Sequence, residues 1–150
     1  MRVLDRHGVS YADYYLEDAE GLSGLEVALS QGQDPSRSYK TLVTSGRSGG
    51  HYVFMIPVGE ELDLKKAARA AGEKSIEMIP SRELLPLTGY VHGGCSPIGM
   101  KKQFPTFLDS KAEKQEKILF SAGKIGRRVE IRPEELKQVI PVTFAELTED

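Results

Sequence analysis

The chain has one cysteine, no tryptophan and three histidines among its 150 residues. One cysteine cannot close an internal disulfide, and His7, His51 and His92 are scattered without a recognisable zinc spacing. The expectation is a domain that needs neither metal nor cofactor. Long apolar runs are also missing, and the longest fall far short of the ~20 residues that a membrane-spanning helix needs. The first residues, MRVLDRHGVS, have no apolar core of the kind a signal peptide carries, so nothing points to export. A cytoplasmic protein with no membrane partner is expected. No GxGxxG follows a strand-like segment, no GxxxxGK precedes Ser or Thr, and there is no GxSxG nucleophile elbow.

Charge of one sign is scarce as well. The net charge is −2, which excludes a polyanion binder acting through bulk charge. The distribution says more than the sum. Basic residues come in pairs, Lys65-Lys66, Lys101-Lys102 and Arg127-Arg128, with Lys124 nearby, while acid is heavier at the two ends. Any single pair is most simply a solvated face. Together they suit contact with a nucleic-acid end without wrapping a duplex.

At this length the simplest organisation is one domain, residues 1–150, with roughly two-thirds of its unfolded surface buried. Residues 1–8 read as a short helix stopped at Gly8, and Val9–Leu16 as a tyrosine-rich strand. Ser23 and Glu26 form a capping box for a helix carrying Leu25, Ala28 and Leu29. Ser38–Thr44 alternates like a strand and places Lys40 on the face of Leu42. With His51–Pro57 it predicts a hairpin. Asp63 caps a helix whose buried stripe is Leu64, Ala67, Ala68 and Ala71, ended by Gly72. Ser75–Ile79 reads as a brief strand and Ser81–Leu87 as a helix broken by Pro86.

Gln103–Leu108 carries alternating aromatics and reads as strand. Ser110 and Glu113 predict a second capping box. Ile118–Ser121 and Arg127–Arg132 predict strands around a glycine-flanked turn, and Pro133 opens a helix with Leu136, Val139 and Ile140 buried. Val142–Leu147 closes the chain. Short strands and short helices without a regular βαβ rhythm predict an α+β fold, with a mixed, curled, barrel-like sheet flanked by short helices.

The richest stretch is Thr88–Lys102, TGYVHGGCSPIGMKK. Gly93 and Gly94 allow positive φ or close approach of another molecule, and Pro97 restricts Ser96 to extended backbone. Such a loop can aim main-chain donors at a carbonyl or phosphate oxygen; it reads equally well as a wide hairpin turn. Cys95 with His92 invites a thiol-nucleophile reading, against which both residues share one short loop and a lone cysteine usually serves as a small hydrophobe. Ser96 has no evident base. Lys40, the glycine pair and Ser96 are left as the suggestive polar set, a fixed cation plus backbone donors that stabilises charge without a protein nucleophile.

KTLVT at 40–44, LDLKKAARAAG at 62–72, TGYVHGGCSPIGMKK at 88–102 and SAGKIG from Ser121 closely resemble one family in the same order. The chain resembles the YbaK/EbsC-type aminoacyl-tRNA deacylases, related to the editing domain of bacterial prolyl-tRNA synthetases. The resemblance covers residues from about 20 onward. It implies hydrolysis of a mischarged aminoacyl ester at the 3′ end of tRNA, with Cys-tRNA(Pro) the leading substrate. The partners it implies are the aminoacyl-tRNA 3′ end and prolyl-tRNA synthetase.

Carried over by motif, Lys40 stands where the family has its functional lysine, beside the terminal adenosine. Gly93 and Gly94 stand in the loop whose main chain positions the ester, and Ser96 and Pro97 complete it. Ser121 and Gly123 match a pocket-side turn, and Tyr14 or Tyr15 substitutes for a family tyrosine whose own position falls at Leu16. The family implies no protein nucleophile: the substrate thiol attacks its own ester, or a positioned water does so in alanyl-specific relatives. Two other readings stay open, a non-catalytic module for tRNA ends or a synthetase, and a cysteine hydrolase using Cys95.

Overall fold

The computed structural model describes Gly8 and residues 11–15, 35–92, 94–124 and 127–149. The helical residues expected before Gly8 and the helix expected behind the Ser23–Glu26 box lie outside them. The tyrosine-rich segment forms strand β1 (Tyr11–Tyr15), and the hairpin forms as β2 (Tyr39–Gly46) and β3 (His51–Pro57). Helix α1 (Leu64–Ala71) starts where the Asp63 carboxylate accepts from the amides of Lys65 and Lys66, and it ends at Gly72 with φ 73°. Strand β4 (Ile76–Met78) and helix α2 (Ser81–Thr88) follow. Strands β5 (Thr106–Asp109), β6 (Ile118–Ser121) and β7 (Arg127–Ile131) precede helix α3 (Pro133–Val139) and strand β8 (Val142–Ala145).

Four local expectations need correction. Helix α2 runs through Pro86 instead of breaking there. The proline withdraws one donor, the partner of the carbonyl of exposed Arg82, and the helix still closes with the Gly89 amide on the Leu85 carbonyl at 2.8 Å. Leu64 is exposed, so the buried stripe of α1 narrows to Ala67 and Ala68. Asp109, not Ser110, caps the next turn, a 3-10 helix over Ser110–Lys114. Its buried carboxylate accepts from the Lys111 amide at 3.2 Å and from the Leu147 amide at 3.0 Å, so a distant partner fixes the choice. The strand expected from Gln103 begins only at Thr106.

The described strands form two sheets and no closed barrel. One is mixed, in the order β4-β2-β3-β5-β8, with β5 parallel to both neighbours; the other is antiparallel, β1-β7-β6. A single parallel bridge between Ser38 and Leu119 joins them.

Strand alternation then sorts the side chains, because directly paired residues share a face. Tyr39 and Met55 lie with Ile118, Phe120, Val129, Ile131 and Leu136 in one apolar cluster, and Val43 and Val53 lie in another with Cys95, Met100 and Phe104. Phe54 and Ile56 face the other way, under Ala67 and Ala68 of α1, with Leu42 at the margin. Each large side chain buried in these layers stabilises the fold by roughly 1.5–3 kcal/mol.

Candidate active site

Lys40 belongs to the face of Leu42, Phe54 and Ile56, opposite Tyr39 and Val43. Its pairing partner across the hairpin is Ile56, and its side chain is half-buried. Among the described residues, none holds its ammonium by a hydrogen bond or ion pair.

The bridge extends this face into the second sheet. Ser38 and Leu119 are partners in a parallel bridge, and two residues further along each strand come Lys40 and Ser121. Ser121 pairs with Arg128 of β7, and Arg128 pairs with Tyr14 of β1. Ser121, Arg128 and the backbone of Tyr14 therefore form one row across three strands of the second sheet, and Lys40 lies two residues beyond the bridge that joins the sheets. At about 4.8 Å per strand that row is roughly 10 Å long. Lys40, Ser121 and Tyr14 were legible in the motifs; Arg128 was not.

Arg128 is 5% exposed although it bears a charge. Burial pulls its pKa from 12.5 down to about 10, so it remains a cation at neutral pH. Glu130, on the same face of β7, forms an ion pair with Arg37, the residue just before Ser38. The Ser121 hydroxyl accepts from the Gly123 amide at 3.3 Å, which holds the turn and leaves its own proton to give.

The glycine loop is a closed structure. The Lys101 amide donates to the Thr88 carbonyl at 3.0 Å across its base, and Lys101 Nζ reaches the Pro86 carbonyl at 3.4 Å near the end of α2. That ammonium is spent on the helix terminus. Within the loop the Gly94 amide donates to the Val91 carbonyl at 3.0 Å, and Ser96 Oγ accepts from the Ile98 amide at 3.2 Å. Ser96 and Pro97 are both buried. Gly93 lies outside the described residues. Among the described residues of this loop the positive φ values are those of Gly89, at 87°, and Gly99, at 78°, and not of Gly94.

Tyr90 ties the loop to the row. Its hydroxyl donates to the Ile98 carbonyl, and its ring lies against Gly99 and against Gly123 of the β6–β7 turn. A Cβ on either glycine would come within 2.8 Å of it. Loop and turn thus meet through one tyrosine, which the motif contains but which periodicity does not single out.

Cys95 is 6% exposed, and burial pushes its thiol from 9.0 up to about 12. His92 is exposed, so the two do not share an environment. A thiol held neutral in this way is not a nucleophile at physiological pH. A shallow hollow lined by Ser45, Gly46, Arg47, Ser75 and Glu77 opens at the far end of β2 and includes none of the predicted site residues.

Basic residues thus lie near a closed glycine loop whose cysteine is held as a neutral thiol. The profile of the aminoacyl-tRNA editing domain family matches residues 20–139, and the chain belongs to that family. It is an aminoacyl-tRNA deacylase of the editing type.

A protein of Enterococcus faecalis (strain ATCC 700802 / V583), provisionally named Cys-tRNA(Pro)/Cys-tRNA(Cys) deacylase EbsC, is 46% identical over 149 residues. The match covers 99% of this chain and 91% of that one. A crystal structure provisionally described as a trans-editing enzyme for prolyl tRNA synthetase superposes with a TM-score of 0.85 at 24% identity, covering 99% of this chain and 94% of that one. The hypothetical protein APE2540 superposes at 0.89 with 22% identity, covering 99% and 97%. These two likenesses establish the fold. No described helix is long and apolar enough to cross a membrane.

Proposed function

We propose that the chain, read as one domain over residues 1–150, removes cysteine from Cys-tRNA(Pro) in the cytoplasm, acting in trans beside prolyl-tRNA synthetase. The observation that carries the reading is Lys40 at the join of the two sheets, near paired Ser121 and Arg128 and the Tyr90-braced loop. The 46% identical relative, named for this substrate, supports the choice of amino acid.

In this reading Lys40 contacts the terminal adenosine. The main chain at Gly93 and Gly94 positions the ester, and Ser96 and Pro97 hold the loop in shape. The Gly94 amide is already bonded to Val91, so its contribution is its carbonyl and its lack of a side chain. Ser121, Gly123 and Tyr14 line the substrate side. The substrate thiol supplies the nucleophile: its sulfur bonds to the ester carbon, the C–O bond to the ribose breaks, and the thiol proton ends on the released 3′ oxygen. The amino acid leaves as a cyclic thioester that water opens. The neutral thiol of Cys95 fits a reaction that asks nothing of it.

The test is a panel of Cys-, Ala- and Pro-charged tRNA(Pro). Cysteine release should dominate, and Lys40→Ala should lower it by at least about a hundredfold, the scale of losing one electrostatic catalytic contact, with an unchanged melting temperature. Dominant alanine release would reassign the substrate. Tight tRNA binding without hydrolysis of any ester would replace the deacylase by a binding module.

A further inference from the structure

We propose that the exposed face of α1 is a docking surface for the phosphodiester backbone of the substrate RNA, held through Lys65 and Arg69 on the helix and Lys74 just beyond it. The inference rests on the reading above for which face the tRNA end meets, but not on the amino acid removed or on hydrolysis.

The charge pattern of α1 works against the helix. Residues 64–72 contain Lys65, Lys66 and Arg69 and no acidic residue. Two of these cations stand in the first turn, where the positive end of the helix dipole disfavours them. Lys65 and Arg69 are four residues apart, a spacing at which like charges repel. Lys66 is employed within the fold, on the Thr148 carbonyl at 2.9 Å. Lys65, Arg69 and Lys74 are exposed, and among the described residues no hydrogen bond or ion pair holds their side chains. A pattern that weakens its own helix and serves no internal contact is accounted for by an external anion.

The acids around the helix leave this face basic. Asp63 is committed to the amides of Lys65 and Lys66, and Glu73 to Ser48 and Tyr52. Glu77 alternates with Ile76, and Glu146 with Ala145 and Leu147, all of which pack in the cluster beneath α1, so both glutamates belong to the opposite face. Glu60, Glu61 and Glu149 gather at the start of the helix, where Glu60 pairs with Lys111 and the Glu149 amide donates to the Glu61 carbonyl. Arg69 and Lys74 lie toward the other end.

The helix also covers the relevant side of the sheet. Ala67 and Ala68 pack on Phe54 and Ile56, the face on which Lys40 stands. RNA whose last nucleotide meets Lys40 therefore passes on the α1 side. Its repeating anion is the phosphodiester, which exposed lysine and arginine bind as point charges, positioning the RNA without reading its sequence.

The experiment titrates uncharged tRNA(Pro) onto the intact protein by fluorescence anisotropy, between about 0.05 and 0.2 M salt. Lys65→Gln, Arg69→Gln and Lys74→Gln together should weaken binding at the low end by at least about tenfold, and flatten the slope of log affinity against log salt by about 2. Lys114→Gln, Lys117→Gln and Arg132→Gln remove the same charge from exposed sites on other elements and should weaken binding by no more than about twofold. The charge-keeping set Lys65→Arg, Arg69→Lys and Lys74→Arg should bind as the wild type does. If the helix set unfolds, Arg69→Gln alone replaces it and should flatten the slope by about 1. Equal weakening by the two glutamine sets, undiminished binding in the helix set, or weakening in the charge-keeping set would overturn the proposal. None of these readouts depends on turnover. They stand in a protein that deacylates nothing, whereas cysteine release with unaltered binding in the helix variants sinks this inference alone.

Discussion

The ring of Tyr90 occupies the space that any side chain on Gly123 would need. A Cβ there would lie 2.8 Å from Tyr90 Cε1, at a φ of 103° that other residues rarely adopt. Gly123→Ala should therefore destabilise the protein by about 2–4 kcal/mol, combining left-handed strain with overpacking. Tyr90→Ala added to it should cost less than the sum of the two single changes, since the clash partner is gone. Thermal unfolding of the four proteins in the cycle measures the coupling, and strict additivity would mean the contact is not formed.

Cys95 should be inert in the native state. Three pKa units separate its ordinary 9.0 from about 12, leaving roughly a thousandfold less thiolate at pH 8 than in the unfolded chain. Iodoacetamide should label it at a rate set by unfolding, and Cys95→Ser should keep its deacylase activity. The sign of the pH effect is fixed as well. The folded pKa is raised, so this stabilisation is complete below pH 9 and declines as the pH climbs toward 12. Prompt labelling at neutral pH, or loss of activity in the serine variant, would revive the thiol as a catalyst.

Glu73 should make the hairpin turn sensitive to acid. Its carboxylate accepts from Ser48 Oγ at 2.5 Å, the Ser48 amide at 3.1 Å and the Tyr52 hydroxyl at 2.6 Å, and the Ser48 bond leads in holding its pKa below the usual 4.5. A lowered carboxylate pKa contributes stability above the unfolded value and loses it as pH falls through the folded one. Denaturation midpoints of wild type and Glu73→Gln should differ at pH 6 and converge in acid. A gap that does not depend on pH would show that the carboxylate charge plays no part.

The fold was legible wherever local chemistry decided it. Alternation gave β2 and β3, the Asp63 cap and Gly72 framed α1, and Pro133 marked the start of α3. It was illegible where a distant partner decided. Ser110 and Asp109 are both competent caps, and the Leu147 amide, 38 residues away, favours the aspartate. Gly99 takes left-handed backbone against Tyr90, while Gly94, one of the pair that draws the eye, does not. Arg128 read as half of a basic pair because strand parity separates it from exposed Arg127 only once β7 has neighbours on both sides.

The join between the two sheets has a consequence for selectivity. Lys40 lies in one hydrogen-bonded sheet and Ser121 and Arg128 in the other, and one bridge, Ser38 with Leu119, sets the gap between them. The spacings within the row of Ser121, Arg128 and Tyr14 are fixed by full antiparallel ladders. Substitutions that tilt one sheet against the other at this hinge line would rescale the site along a single axis. Related chains could thus retune the size of acyl group they accept while every polar residue in the row stays the same.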